Sequence, residues 1–192
     1  MNRVIAITGG IGSGKSVVSR ILRVMGYPVY DCDTEARLLM DGDTAISRRI
    51  ANEISPEAID DDGKINRPKL AEIVFTDRQA LERLNNIVHS AVRDHLRQWI
   101  DRHQPTSTCF VETAIPYQSH IDTMVDEIWE VDAPEEIRIS RVMARNNLSR
   151  REVENRIEAQ RYTPDRLHPN TRHIDNSPSS PLLPQLLRLL PS

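Results

Sequence analysis

The sequence predicts an α/β protein in which a parallel sheet of about five strands lies between two layers of helices. Short apolar runs suited to buried strands alternate with segments of helical periodicity. A glycine-rich loop follows the first of these runs, and no internal repeat or clear linker divides the chain. Alternating strands and helices give a parallel sheet, because each helix carries the chain back across one face.

The glycine-rich stretch Gly9–Ser16 has the spacing of a phosphate-binding loop, which is Gly, four residues, then Gly-Lys-Ser. It stands between an apolar strand at 3–8 and a helix at 15–25, as this loop requires. Lys15 is expected to reach the β- and γ-phosphates of ATP, and Ser16 to bind Mg²⁺. Backbone N–H groups are expected to bind phosphate oxygens. The predicted nucleotide-binding residues are Gly10, Ile11, Gly12, Ser13, Gly14, Lys15 and Ser16.

The composition is that of an ordinary soluble protein. Of 192 residues, 39% are hydrophobic and 28% charged, and the net charge is −3, so neither nucleic acid nor membrane is an expected partner. Only Lys15, Lys64 and Lys69 are lysines, which makes a chance Lys in the loop improbable. Cys32 and Cys109 are expected to be buried thiols. With no signal peptide or membrane span in the sequence, we expect a cytoplasmic protein. A monomer is the expectation for its assembly, although no sequence feature determines the oligomeric state.

Two acidic residues are predicted at the carboxyl ends of strands, where open α/β sheets bind ligands. Asp33 follows a short strand at 29–30 and is predicted to take part in catalysis. The alternative is that Asp33 caps the next helix, which contains Glu35. Glu112 ends the third strand, 108–112, and is predicted to hold Mg²⁺ through water.

The helical stretch between the second and third strands is too long for a simple crossover. We therefore expect residues 35–104 to form a helical substrate-binding subdomain. Within it, Asp60–Gly63 is predicted to be a charged turn rather than a nucleotide switch or a calcium loop, because no strand precedes it and no Glu closes a loop. The residue pattern alone indicates a structural, half-buried role for His89.

An arginine-dense segment follows the fourth strand, 127–131, and the helix at 135–146. The spacing Ser-x-x-Glu at 149–152 predicts a helix beginning near Arg150. Most of these arginines are expected to form a solvated, ion-paired face, while one or two close over the triphosphate. We therefore predict a lid at about 141–171.

The rest of the chain completes a single domain. Its core is predicted to consist of residues 1–34, 105–140 and 172–192, with a fifth strand at 173–176 and a tail helix after Pro184.

In this order and spacing, the motifs resemble the dephospho-coenzyme A kinase family from Met1 to about Asn176. The segments that carry the resemblance are the phosphate loop, Asp31-Cys32-Asp33 with Ala36-Arg37, the stretch 62–75, Leu84-Asn85 with His89, Arg141 with Arg145, and Arg156 with Gln160. Two departures are Glu112, where the family has a shorter acid, and Gln118, where it has a second acid.

The resemblance implies transfer of the γ-phosphoryl group of ATP to the 3′-hydroxyl of the ribose of dephospho-coenzyme A, the last step of coenzyme A synthesis. It implies that Asp33 takes or orients the hydroxyl proton, and that Lys15, Arg145 and Mg²⁺ on Ser16 stabilise the transferred group. The implied acceptor-binding residues are Asp33, Arg37 and His89.

Two other functions stay open at this point. A kinase of another small molecule, such as a nucleoside monophosphate, would share the loop and the lid, although the 60–90 segment favours the first reading. A nucleotide-switch protein would need the guanine-reading sequence Asn-Lys-x-Asp, which this chain lacks.

Overall fold

The structure is a computed structural model that describes residues 2–105 and 107–190. The chain divides into two compact units, one of Met1–Tyr30 with Ile100–Ser192 and the other of Asp31–Trp99. The first unit holds a sheet with flanking helices, and the second is built from helices. Within the described residues there are five strands and eight α-helices.

The sheet of the first unit is parallel throughout and has the strand order β2-β3-β1-β4-β5. Its strands are β1 (Val4–Thr8), β2 (Val29–Asp31), β3 (Cys109–Glu112), β4 (Glu127–Asp132) and β5 (Thr171–Asp175). All five residues of the central strand β1 are buried, as expected of a strand covered on both faces. The predicted α/β fold with a parallel five-stranded sheet is confirmed.

Apolar side chains from alternate strand positions form the main core of this unit. Its helices are α1 (Lys15–Val24), α6 (Glu135–Asn146), α7 (Arg150–Ala159) and α8 (Leu182–Leu189). Ile5 and Ile7 of β1 and Trp129 of β4 face the same side of the sheet, where Leu22 of α1 and Leu186 of α8 pack against them. This packing fixes α1 under the sheet and so positions the loop that leads into it.

The starts of β5 and α8 are among the element boundaries that differ from those predicted. Strand β5 begins at Thr171, two residues before 173. Helix α8 begins at Leu182 and contains Pro184, whereas the sequence analysis placed the helix after that proline. Pro184 is the third helical residue, where the missing N–H has no intrahelical partner to lose, so the ring is tolerated.

The second unit contains α2 (Cys32–Gly42), α3 (Thr44–Glu53), α4 (Arg67–Thr76) and most of α5 (Arg78–His103). Ile46 and Ile50 of α3 pack with Leu70 of α4 and Ile87 of α5 in a separate core. The charged turn predicted at Asp60–Gly63 is confirmed, since the N–H of Gly63 donates to the carbonyl of Asp60 at 2.9 Å.

Candidate active site

The loop between β1 and α1 is a tightly curled segment that needs glycine at several positions, of which Gly12 and Gly14 are two. Gly12 and Gly14 have φ angles of +79° and +102°, in the left-handed region. A Cβ on Gly12 would lie 2.6 Å from the carbonyl oxygen of Arg138, and one on Gly14 would collide with Nδ2 of Asn176. The predicted phosphate loop therefore has its glycines where no larger residue fits.

The start of α1 leaves backbone donors for a ligand. Gly14 occupies the N-cap position and provides no side-chain hydrogen bond. The N–H groups of Val17 and Val18 donate to the carbonyl of Gly14, but N–H groups nearer the helix start have no intrahelical partner. Such groups, together with the positive end of the helix, form an anion-binding site.

Lys15 folds back over the loop. Its Nζ donates to the carbonyl oxygen of Gly9 at 2.5 Å, and its side chain is half-buried. This contact holds a positive charge beside the curled backbone, next to the N–H groups at the start of α1. A phosphate chain bound in the loop would meet this charge without a large movement of the lysine.

The carbonyl groups of the loop are bound by side chains from neighbouring elements. Asn176, just after β5, donates from Nδ2 to the carbonyl of Ser13 at 2.7 Å. Arg141 of α6 lies 3.5 Å from the carbonyls of Gly12 and Ser13 and donates to the carbonyl of Asn176 at 2.9 Å. Because these carbonyl oxygens accept hydrogen bonds from protein donors, their partial negative charge is partly neutralised. They therefore repel an incoming anion less.

Two further contacts join the loop to α6 and α7. Nε of Arg138 donates to the carbonyl of Ile11 at 3.0 Å, and the N–H of Ile11 donates to Oε1 of Gln160 at 2.8 Å. Sequence reasoning did not single out Arg138. The available signal was its position three residues before Arg141, which places both on one face of a helix.

The residues predicted to bind Mg²⁺ lie at the ends of two elements. Ser16 is the second residue of α1 and is exposed, and Glu112 is the half-buried last residue of β3, paired in register with Ile7. Within the part of the chain that the structure describes, no group of three His, Cys, Asp or Glu side chains forms a metal site. Mg²⁺ at phosphate sites takes one or two protein ligands and completes its shell with phosphate oxygens and water.

Arg145, the predicted catalytic arginine, lies in the last turn of α6 and is exposed. Its Nε donates to Oδ1 of Asn146 at 2.9 Å. The helix predicted near Arg150 is confirmed, with the full capping box between Ser149 and Glu152. Arg150 pairs with Glu136 of α6, as expected of an ion-paired helical face.

A cleft of about 340 Å³ lies beside the phosphate loop in the first unit. Thr8 and Glu130, which are register partners on β1 and β4, line it together with Gly9 and Gly10. Its remaining walls come from the segments 114–118 and 159–167, with Ile128. Its walls present polar and apolar groups in similar proportion, and small-molecule sites combine both kinds of group.

Three predicted site residues lie in the second unit. Asp33 and Arg37 are exposed residues of α2, one turn apart, and His89 is a half-buried residue of α5. The N-cap of α2 is Asp31, whose Oδ1 accepts from the N–H groups of Asp33 and Thr34 at 3.1 Å. The alternative in which Asp33 caps this helix is therefore wrong, and its carboxylate is not used for capping.

A second cleft, of about 320 Å³, lies in the helical unit. Helices α2, α3 and α5 line it, and its polar side chains include Arg49, Asp94, His95 and Gln98.

Both cysteines are buried, as predicted. Burial raises the pKa of Cys109 to about 11, so this thiol stays protonated at neutral pH.

A parallel sheet with a phosphate loop between its central strand and the following helix is the architecture of the P-loop nucleoside triphosphate-binding proteins, a class that includes kinases. The family model of the dephospho-CoA kinases (CoaE) matches residues 3–181 of this chain. The chain belongs to the dephospho-CoA kinase family, which catalyses the final, ATP-dependent step of coenzyme A biosynthesis.

Individual relatives agree with this family assignment. A dephospho-CoA kinase of Bacteroides fragilis is 36% identical over 97% of this chain and 90% of its own length. A crystal structure of TT1252 from Thermus thermophilus is 34% identical, with a TM-score of 0.77 over 100% of this chain and 99% of that one. A dephospho-CoA kinase from Campylobacter jejuni shares the fold, with a TM-score of 0.65 at 24% identity over 93% of this chain and 90% of that one. Among the described residues, no helix has the length and apolarity to cross a membrane.

Proposed function

We propose that this chain transfers the γ-phosphoryl group of ATP to the 3′-hydroxyl of the ribose of dephospho-coenzyme A, giving coenzyme A and ADP. The observation that carries the proposal is the preformed phosphate loop with Lys15 folded over it, in a chain that matches the family model over residues 3–181. The reaction forms a bond between the 3′-oxygen and the γ-phosphorus and breaks the bond from that phosphorus to the β–γ bridging oxygen.

The first unit binds and polarises the phosphate chain of ATP. The residues proposed for this are Gly10, Ile11, Gly12, Ser13, Gly14, Lys15 and Ser16. Backbone N–H groups at the start of α1 bind phosphate oxygens, and Lys15 neutralises charge that develops on the leaving oxygen. Ser16 and, through water, Glu112 would hold Mg²⁺, which supplies charge neutralisation on the β- and γ-phosphates when bound.

Asp33 is proposed to accept or orient the proton of the attacking hydroxyl. Its exposed carboxylate is not engaged in capping, which supports a role toward a ligand. A loose transition state for phosphoryl transfer needs positioning more than strong base catalysis, so an ordinary carboxylate suffices. Arg145, in the exposed last turn of α6, is proposed to stabilise the transferred group from the lid at about 141–171.

The cleft beside Gly9 and Gly10 is suited to the part of the acceptor that carries the hydroxyl, because it adjoins the phosphate loop. The helical subdomain at about 35–104, with Arg37 and His89, is proposed to bind the remainder. The enzyme is proposed to act as a cytoplasmic monomer on this small molecule, and its net charge of −3 gives no attraction to nucleic acid.

An acceptor comparison tests the proposal. ADP formation from ATP and Mg²⁺ would be measured with dephospho-coenzyme A, with AMP and without acceptor, and then with GTP as donor. We expect ADP formation that depends on dephospho-coenzyme A and prefers ATP over GTP. Equal turnover with AMP would favour a nucleoside monophosphate kinase, and GTP hydrolysis independent of acceptor would favour a switch protein.

A further inference from the structure

Helices α6 and α7, together with the C-cap residue Gln160, form the α6–α7 hairpin. Both helices of this hairpin contact Ile11, at a corner of the phosphate loop. As described above, its N–H donates to Oε1 of Gln160 and its carbonyl accepts from Nε of Arg138. Its side chain packs against the hairpin's own apolar cluster, which consists of Ile139, Val142, Val153 and Ile157. The N–H group, the carbonyl group and the side chain of Ile11 therefore all contact the hairpin.

The N–H of Ile11 points away from the inside of its turn. The N–H of Ser13 donates to the carbonyl of Gly10 at 3.1 Å, which closes a four-residue turn with Ile11 and Gly12 at its corners. The positive φ of Gly12 at the third position is that of a type II turn. In such a turn the N–H of the second residue lies outside the closed ring, so Ile11 serves as a tether between loop and hairpin.

Gln160 is the other end of this tether, and its backbone is hydrogen-bonded at the end of α7. It is the C-cap of α7, and its own N–H lies 3.2 Å from the carbonyls of Arg156 and Ile157. The opposite end of α7 is fixed by the capping box at Ser149. The accepting oxygen is therefore placed by a helix with both ends capped.

We infer that Gln160 is a positioning residue of the nucleotide site. Its side chain fixes the position of Ile11 in the loop and thereby the orientation of the loop N–H groups that bind phosphate. It acts through its hydrogen bond to the loop, and its side chain also lines the cleft beside Gly9 and Gly10. Without this acceptor, the loop at Ile11 can adopt other conformations. The cost of restoring the binding conformation then offsets part of the free energy of phosphate binding. The inference rests on the proposed function only in taking this loop as the nucleotide site.

The test replaces Gln160 by a side chain of similar length that cannot accept. In Gln160→Met, we expect the amide of Ile11 to exchange its hydrogen faster by NMR. We also expect ADP to bind about tenfold more weakly by calorimetry, as for loss of one well-placed hydrogen bond. Because Gln160 is exposed, the melting temperature should not change. Glu158→Gln, an exposed change on the same helix, is the matched control and should alter none of these quantities.

Three results would overturn the inference. One is unchanged exchange at Ile11 in Gln160→Met, and another is unchanged ADP affinity despite faster exchange. The third is a loss of ADP affinity that the Glu158→Gln control reproduces or that tracks a lower melting temperature. ADP binding requires no acceptor, so failure to phosphorylate dephospho-coenzyme A would contradict the proposed function and leave this inference standing.

Discussion

Nζ of Lys15 donates to the carbonyl oxygen of Gly9, so the lysine spans the phosphate loop from the first residue of α1 back to the end of β1. The lysine thereby holds its charge over the loop by bonding to the loop's own backbone. This arrangement links the geometry of the site to the chemistry proposed for it, because the charge is in place before phosphate arrives.

Lys15→Ala is expected to lower kcat by about 10²–10³-fold, as for removal of one preorganised group that stabilises transition-state charge. The free energy of unfolding should change little, because β1 and the buried face of α1 are untouched. Steady-state kinetics and urea denaturation measure the two effects. Lys64→Ala, at an exposed turn, is the control. Near-normal turnover in Lys15→Ala would show that the loop is not the catalytic phosphate site.

Substitutions at Asp31 and Asp33 separate the contribution of helix capping from the contribution to catalysis. Asp31→Ala removes the N-cap of α2 and is expected to lower the free energy of unfolding by about 1 kcal/mol. Asp33→Asn should leave that free energy nearly unchanged, because Asp33 does not cap the helix, but should abolish most turnover with little change in ATP affinity. Urea denaturation and single-turnover kinetics distinguish the two. If Asp33→Asn turned over normally, another group would have to receive the proton.

Gly14 and Gly63 share a positive φ but differ in their surroundings. Both positions strain an alanine, at a cost of roughly 1–2 kcal/mol. A Cβ at Gly14 also collides with Asn176, whereas one at Gly63 meets nothing within 4 Å. We therefore expect Gly14→Ala to lose ADP binding in calorimetry and Gly63→Ala to keep it. Equal effects on binding would mean that Asn176 does not constrain the loop.

Glu127 is a buried carboxylate that forms an ion pair with Arg3 in the first unit, with 6% of its side chain exposed. Its oxygens accept from Nη1 of Arg3 at 2.5 Å and from Nε1 of Trp129 at 2.8 Å. Glu127→Ala leaves these donors without their acceptor and should lower the free energy of unfolding by about 3 kcal/mol. Glu127→Gln, which can still accept from Trp129, should lose less.

Urea denaturation measures the free energy of unfolding of the unsubstituted protein and of the two Glu127 variants. Glu53→Ala, which breaks the exposed pair with Arg49, is the control and should have no measurable effect, since solvent screens that pair. A similar loss of stability in Glu127→Ala and Glu53→Ala would contradict the role assigned to the buried pair.

The fold and the loop were predictable because each depends on local pattern. The apolar run that became β1 and the spacing from Gly9 to Ser16 are read directly from neighbouring residues. The capping box at Ser149 is equally local, and its helix begins at the next residue.

The contacts that surround the loop could not be predicted in the same way. Ile11 and Gln160 are 149 positions apart, and Ser13 and Asn176 are 163 apart, so only the tertiary fold brings them together. The interpretation of Asp33 as a cap depended on where α2 begins, and the helix begins at Cys32 rather than near Glu35, which makes Asp31 the cap. Periodicity does not resolve a boundary to that accuracy.

In the proposed reaction, the hydroxyl of dephospho-coenzyme A receives the γ-phosphoryl group. The mass and ³¹P spectrum of the product formed from ATP, Mg²⁺ and dephospho-coenzyme A test this transfer directly. We expect a gain of one phosphoryl group, present as a monoester on the ribose 3′-oxygen, with one ADP formed per product. ATP binding, or ATP hydrolysis, without a phosphorylated acceptor would contradict it.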